Sequence, residues 1–167
     1  MPLLPMISCI LPTANRREFI PQALALFAAQ DYPNTELIIV DDGEDSVADL
    51  IPAQANILYQ RLPQRLTIGA KRNLACELAN GEFIAHWDDD DWYAPTRLSY
   101  QLAQLQASGA MICGLDRVLF HEPQAGQAWE YRYPPNEKPW AYGATLLYRR
   151  DWWQQHPFAD VMIGEDN

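Results

Sequence analysis

Apolar residues along this chain fall into two alternating patterns, and the alternation sets the fold class. Short unbroken runs at 7–11, 37–40 and 83–87, with a briefer one at 57–59, have the length and apolar character of strands buried on both faces. Pro12 stops the first. Between the runs, apolar residues recur at helical spacing: Ile20, Leu24 and Phe27 in a segment reaching Gln30, then Leu74 and Leu78 in a helix over about 68–79. Leu98, Leu102 and Leu105 follow in a helix that Pro95 opens and Ser108-Gly109 closes. Asn80-Gly81 reads as a left-handed stop for the second helix.

From Ala110 the pattern changes to strand-like pieces at 111–113, 118–120, 129–133 and 144–148, with a short helix near 151–155. Pro123, Pro134, Pro135 and Pro139 mark an irregular stretch among them. The whole predicts an α/β chain: a doubly wound, Rossmann-like mixed sheet flanked by helices, with a partly antiparallel second half. The 167 residues, 49% of them hydrophobic, fit a single domain with a sizeable core.

In such sheets ligands sit beyond the carboxyl ends of the strands. Three polar clusters fall there: Thr13-Ala14-Asn15-Arg16, Asp41-Asp42-Gly43 and Asp88-Asp89-Asp90-Asp91. The four aspartates are not a disordered charge run, because a buried-looking strand precedes them and Trp92-Tyr93-Ala94-Pro95 follows. Carboxylates packed at a strand end repel one another, and a divalent cation relieves that repulsion. Oxygen ligands without a nearby cysteine pair favour Mg²⁺ or Mn²⁺ over zinc. His86 reads as a histidine packed against the sheet rather than a ligand. An acid such as Asp41 or Asp42 at a strand end can accept hydrogen bonds from a base or a ribose. Arg16, Arg17, Lys71 and Arg72 are candidate anion partners, Arg72 being equally open to a phosphate or a neighbouring carboxylate.

Charge narrows the classes further. Twelve Lys plus Arg, only two of them lysines, stand against 22 Asp plus Glu, for a net charge of -10. Such a chain is poorly suited to hold nucleic acid through phosphates or to dock on an anionic membrane surface. No run reaches the roughly 18 apolar residues of a membrane span. The apolar start, 1–11, lacks the basic residues and cleavage site of a signal peptide. Cys9, Cys76 and Cys113 form neither a zinc spacing nor a disulfide framework, which suits buried thiols in a reducing compartment. Eleven of the 22 acids lie in 41–49, 88–91 and 165–166, so the acidic excess is a concentrated demand for a cation rather than a general surface property.

Six segments in order now resemble a known family. Pro12-Thr13-Ala14-Asn15-Arg16, Val40-Asp41-Asp42-Gly43, Gly69-Ala70-Lys71-Arg72-Asn73, Ala79-Asn80-Gly81-Glu82-Phe83-Ile84, Asp88-Asp89-Asp90-Asp91 with Pro95, and Gly164-Glu165-Asp166 are similar to the motif series of the family 2 glycosyltransferases. The resemblance implies the A-type glycosyltransferase fold and inverting transfer from a nucleoside diphosphate sugar, a UDP-sugar, to a hydroxyl of a glycan or lipid-linked acceptor in cell-surface polysaccharide synthesis. It implies Mn²⁺ or Mg²⁺ held by Asp90, with Asp88 as the other half of the D-x-D pair, and Asp88 or Asp89 near the ribose. Asp41 or Asp42 would receive the base. Pro12, Thr13, Asn15 and Arg16 would line the nucleotide, with Lys71 towards the phosphates and Arg72 organising the carboxylates or a phosphate. Asp166 matches the family's catalytic base, and Trp140, Tyr142 and the neighbouring Glu165 are acceptor-site candidates, the competing role of the two aromatic rings being to fill the core. On this reading 1–109 is the nucleotide-sugar half and 110–167 the acceptor half of a cytoplasmic protein, with the inner face of the membrane as the alternative location.

Two departures are visible. Ala14 stands where the family usually has an aromatic residue, and the chain ends one residue after Asp166, where family members continue into further elements. The competing class is therefore a shortened, non-catalytic nucleotide-sugar-binding remnant or partner subunit; the sequence does not give the oligomeric state, although a second copy could cover any apolar surface so exposed. A nucleotidyltransferase would need a glycine- and lysine-rich triphosphate loop after the first strand, and a dinucleotide enzyme a G-x-G-x-x-G there. Neither is present.

Overall fold

The computed structural model describes residues 4–134 and 140–166. Residues 1–3 of the apolar start, Pro135 and Pro139 of the irregular stretch, and Asn167 lie outside the described residues. The chain runs β1 (Ile7–Thr13), α1 (Ile20–Ala28), β2 (Thr35–Asp41), β3 (Ile57–Arg61), α2 (Ile68–Leu78), β4 (Phe83–His86) and α3 (Arg97–Ser108). It continues through β5 (Ile112–Cys113), β6 (Arg117–Glu122), β7 (Gln127–Arg132), a 3₁₀ turn (Gly143–Thr145), β8 (Leu147–Arg149) and α4 (Arg150–Trp153).

A six-stranded sheet has the order β3-β2-β1-β4-β8-β5, and β6 and β7 form a separate hairpin. The first four strands are mutually parallel, while β8 runs antiparallel to both its neighbours. The two halves divided at 109 thus share one sheet, since β8 and β5 extend what the first half begins.

Both faces are covered, as the unbroken apolar runs require. Cys9 and Leu11 of β1 enter a layer with Phe27, Trp87, Leu98 and Leu102. Ile10 between them enters the opposite layer with Ile38, Val40, Cys76 and Tyr148. The period-2 alternation of a strand assigns neighbours to opposite layers, and each large aliphatic or aromatic side chain so buried contributes roughly 1.5–3 kcal/mol.

Two expectations change in detail. Pro12 does not end β1, which pairs with β2 as far as Thr13↔Asp41. The pairing with β4 has already stopped at Ile10↔His86, and Ile10 turns its carbonyl to the β4 side, where Trp87 N–H donates to it. Pro12, two residues on, turns its missing N–H to that same side, where no ladder bond is lost. Gly81 is not a left-handed stop: the glycines with positive φ are Gly109, Gly126 and Gly164, and α2 ends on an extended Ala79. Gly81 is needed for close approach, since a Cβ there would lie 2.8 Å from Met6 O and from Ser8 N.

Candidate functional site

Because β1 and β4 part company after Ile10, a crevice opens at their carboxyl ends, at the point where the strand order changes direction. Every acidic cluster named above borders it or the adjoining ends of β2 and α2.

The first two loops are locked to each other. Asn15 has φ 55°, a left-handed conformation that a short polar side chain tolerates, and its Oδ1 accepts from Asp45 N–H at 3.0 Å. Gly43 packs against it so closely that a Cβ would lie 2.7 Å from Asn15 Oδ1 and 3.0 Å from Ala14 C. Asp41 is wholly buried and accepts from Gly43 N–H (2.9 Å), Val47 N–H (3.2 Å) and Tyr59 O–H (2.7 Å). Asp42 accepts from Leu66 N–H and from Lys71 Nζ, each at 2.8 Å, and Lys71 also donates to Thr13 O at 3.3 Å. Both acids and Lys71 therefore organise the loops that surround them. Arg17 turns away from the crevice to pair with Asp49 and to donate to Ser46 O at 2.8 Å.

The aspartate run divides into four environments. Asp89 is buried, accepting from Thr13 O–H (2.6 Å) and Arg16 Nε (2.7 Å). Burial, with a contribution from Asp90, holds its carboxyl above the ordinary aspartate range despite those two donors. Asp90 is half exposed and pairs with the other end of the Arg16 guanidinium. Asp88 is partly exposed and 3.4 Å from Arg72 NH2. The Asp91 carboxyl is pushed up to about 6, first by burial and then by repulsion from Asp88 and Asp90.

Across the crevice, α2 supplies the link to the second half. The Arg72 guanidinium is buried, touches His86 Nδ1, faces Asp88, and has Glu165 Oε1 3.0 Å from its Nε as an ion pair without an in-line hydrogen bond. Arg72 thus meets the neighbouring carboxylates, one of the two kinds of partner open to it. His86 packs under the sheet, with Nδ1 2.7 Å from Gly143 O and Nε2 3.3 Å from the Tyr148 hydroxyl. Burial and then Arg72 hold its pKa well below the ordinary value, so the ring is neutral. The packed-histidine reading therefore describes it.

Asp166 sits against Gly143, where a Cβ would lie 2.7 Å from its Cγ. The left-handed Gly164 (φ 78°) makes the turn that sends Glu165 towards Arg72 and Asp166 towards Gly143. These groups border a cleft of about 330 Å³ lined by Arg72, Asp88, Trp140, Tyr142, Gly143 and Asp166, among others. Trp140 and Tyr142 line the cleft, half-buried, and pack with Tyr131, Tyr133 and Phe120 rather than within either core layer.

Sequence reasoning missed two supports. Arg97 is buried over the rings of Trp87 (5.3 Å) and Tyr93 (4.2 Å), which contact each other, and its NH2 donates to Ala144 O at 3.3 Å. Gln101 donates to Thr145 O at 2.8 Å, so α3 grips the turn that carries Gly143. Their spacing is a signal: 97 and 101 fall on the inward stripe with Leu98, Leu102 and Leu105, where a solvated polar residue does not belong. Asn73 is the second. Its amide brackets residue 158, donating to Phe158 O and accepting from Phe158 N–H, and it also accepts from Trp153 Nε1, each at 2.9 Å.

A parallel sheet opening at a switch point, with aspartates at the strand end and an acid facing them across a cleft, is the ligand-binding arrangement of a doubly wound α/β fold. Residues 8–162 match the family Glycosyl transferase family 2, and the chain belongs to that family. It is 34% identical over 154 residues to the putative colanic acid biosynthesis glycosyl transferase WcaA of Escherichia coli K12, covering 88% of this chain and 54% of that protein. It is 30% identical over 108 residues to the putative teichuronic acid biosynthesis glycosyltransferase TuaG of Bacillus subtilis 168, covering 59% and 41%. Among solved structures, the mannosyltransferase PcManGT of Pyrobaculum calidifontis, in complex with GDP-Man and Mn²⁺, superposes with a TM-score of 0.76 at 20% identity, over 99% of this chain and 50% of that one. Staphylococcus aureus TarS 1-349 superposes with a TM-score of 0.73 at 20% identity, over 96% and 52%. The fold is the A-type glycosyltransferase fold, and the chain spans about half or less of the length of the curated relatives it matches. Among the described residues, no helix is long and apolar enough to cross a membrane.

Proposed function

We propose that this chain is the donor-binding and base-bearing part of a metal-dependent inverting glycosyltransferase. It moves a sugar from a UDP-sugar to a hydroxyl of a glycan or lipid-linked acceptor in cell-surface polysaccharide synthesis. The observation that carries the reading is the shared cleft: Asp88, at the end of β4, and Asp166, on the C-terminal turn, line the same space with Arg72 beside both.

Among the described residues, no group of three or more His, Cys, Asp and Glu is placed to hold a metal by itself. Two carboxylates suit an ion that takes its remaining ligands from a diphosphate and water. Asp90 and Asp88 fit that part: Asp90 is half exposed and Asp88 partly exposed, and the guanidinium group that each one meets shows a carboxylate placed to hold a cation. Bound there, Mn²⁺ or Mg²⁺ would neutralise the leaving diphosphate.

The chain's own residues supply the rest. Asp166 takes the proton of the acceptor hydroxyl at its carboxylate, and Gly143 leaves room for that carboxylate. Glu165 pairs with Arg72, which holds the base turn against α2. Trp140 and Tyr142 wall the acceptor side with apolar faces. Pro12, Thr13, Asn15 and Arg16 with Asp41 and Asp42 form the nucleotide side, and Asp89 fixes the ribose end through Thr13 and Arg16.

Titration calorimetry of UDP with and without Mn²⁺ tests the donor half. Binding that needs Mn²⁺ and is lost in Asp90→Ala is expected, whereas metal-independent binding unchanged in Asp90→Ala overturns it. Asp166→Asn is expected to abolish transfer while keeping UDP affinity, and loss of both reassigns that residue. Transfer or slow donor hydrolysis by the chain excludes a purely binding role.

A further inference from the structure

The Arg16 guanidinium spans two aspartates by its two ends. Nε donates to buried Asp89 at 2.7 Å, and NH2 pairs with Asp90, the half-exposed acid read above as the metal ligand. Its plane lies over the Phe19 ring at 4.6 Å, which seats it from the other side. The chain without ligands therefore already carries a cation on the carboxylate that a metal needs.

We propose that Arg16 is a built-in counter-cation that keeps free divalent metal off Asp90 until a diphosphate arrives, and then exchanges its carboxylate partner for the diphosphate. The inference rests on the donor-site reading above. The physical argument is one of partners. A metal entering alone must displace NH2 from Asp90 and leave a cationic group beside a dication with only water to accept its bond. A metal entering with a diphosphate brings the acceptor that the released NH2 requires, and phosphate oxygens match a guanidinium fork as well as a carboxylate does. The Nε end keeps Asp89, which Thr13 also holds, so only one end of the side chain has to move. Metal and nucleotide then bind cooperatively, and by linkage each raises the other's affinity by the same factor.

Mn²⁺ binding, read from the loss of the free-ion paramagnetic resonance signal, tests this without any turnover. Arg16→Gln is expected to bind Mn²⁺ in the absence of nucleotide about tenfold more tightly than the unaltered chain. It is also expected to lose most of the enhancement that saturating UDP gives. Arg17→Gln changes the net charge equally one position along, but its guanidinium pairs with Asp49 rather than the crevice, so its Mn²⁺ affinity should move by less than about twofold. Adding Asp90→Asn to Arg16→Gln should remove the gain. Unchanged or weaker nucleotide-free Mn²⁺ binding in Arg16→Gln overturns the proposal, as does an equal gain in Arg17→Gln or a gain that survives loss of Asp90. If Arg16→Gln does not fold, Arg16→Lys, which cannot bridge both acids, should show a gain of about threefold, and no gain overturns the proposal. Failure of the unaltered chain to bind UDP would defeat the donor-site reading while leaving the comparison of Mn²⁺ alone intact.

Discussion

Gly143→Ala separates the architecture of the proposed base from its stability. The backbone at Gly143 is ordinary, so alanine brings no conformational penalty. The added methyl would sit 2.7 Å from Asp166 Cγ and nearer still to Oδ2, where ordinary contact begins at 3.4 Å. The Oδ2 end of the carboxyl must therefore withdraw by about 2 Å, and a displacement of even half that size at a reacting group costs on the order of 10²-fold in rate. What yields is the end of a flexible side chain, while the turn itself stays gripped through Ala144 O and Thr145 O by Arg97 and Gln101. The variant should lose less than about 1 kcal/mol of stability. UDP affinity by calorimetry should match the unaltered chain, because the aspartate run and the first two loops do not touch Gly143. Transfer measured by UDP release should fall about a hundredfold in kcat with little change in donor KM. A Gly143→Ala variant with full kcat would refute the placement of Asp166 as base, and one with lost UDP binding would refute the division of the cleft into donor and base sides.

Asn73→Ala removes three hydrogen bonds that hold Phe158 and Trp153 on α2, and should cost about 2–3 kcal/mol in urea unfolding. Thr13→Val leaves buried Asp89 with one donor fewer and should cost about 1–3 kcal/mol by the same measurement. Burial pushes the Cys9 and Cys76 thiols up to about 12, so at pH 8 only about one in 10⁴ of each is thiolate. A thiol reagent at that pH should modify neither in the folded chain and all three cysteines in denaturant; fast labelling of Cys76 would contradict its burial.

The strands, the three long helices and their alternation were legible because periodicity records burial directly: Ile38 and Ile39 must each meet an apolar layer, and Leu98, Leu102 and Leu105 must share a face. The aspartate run and the first two loops were legible because strand-end position follows from the same pattern. What the residues in 88–91 each do was not legible. Four identical side chains differ only in what lies opposite, and Thr13, Arg16, Arg72 and Arg97 come from elements far apart in the chain. The pairing of Arg16 with Asp90, the bracket that Asn73 places on residue 158, and the nesting of Asp166 on Gly143 are contacts across 74, 85 and 23 positions of sequence. Local patterns carry no information about such contacts, because they depend on where β8 joins β4 and how the C-terminal turn folds back over α2. The chain's residue types determined that acidic and basic side chains would gather at one sheet edge. Only the tertiary structure decided which carboxylates are held by the protein's own guanidinium groups and which face the cleft.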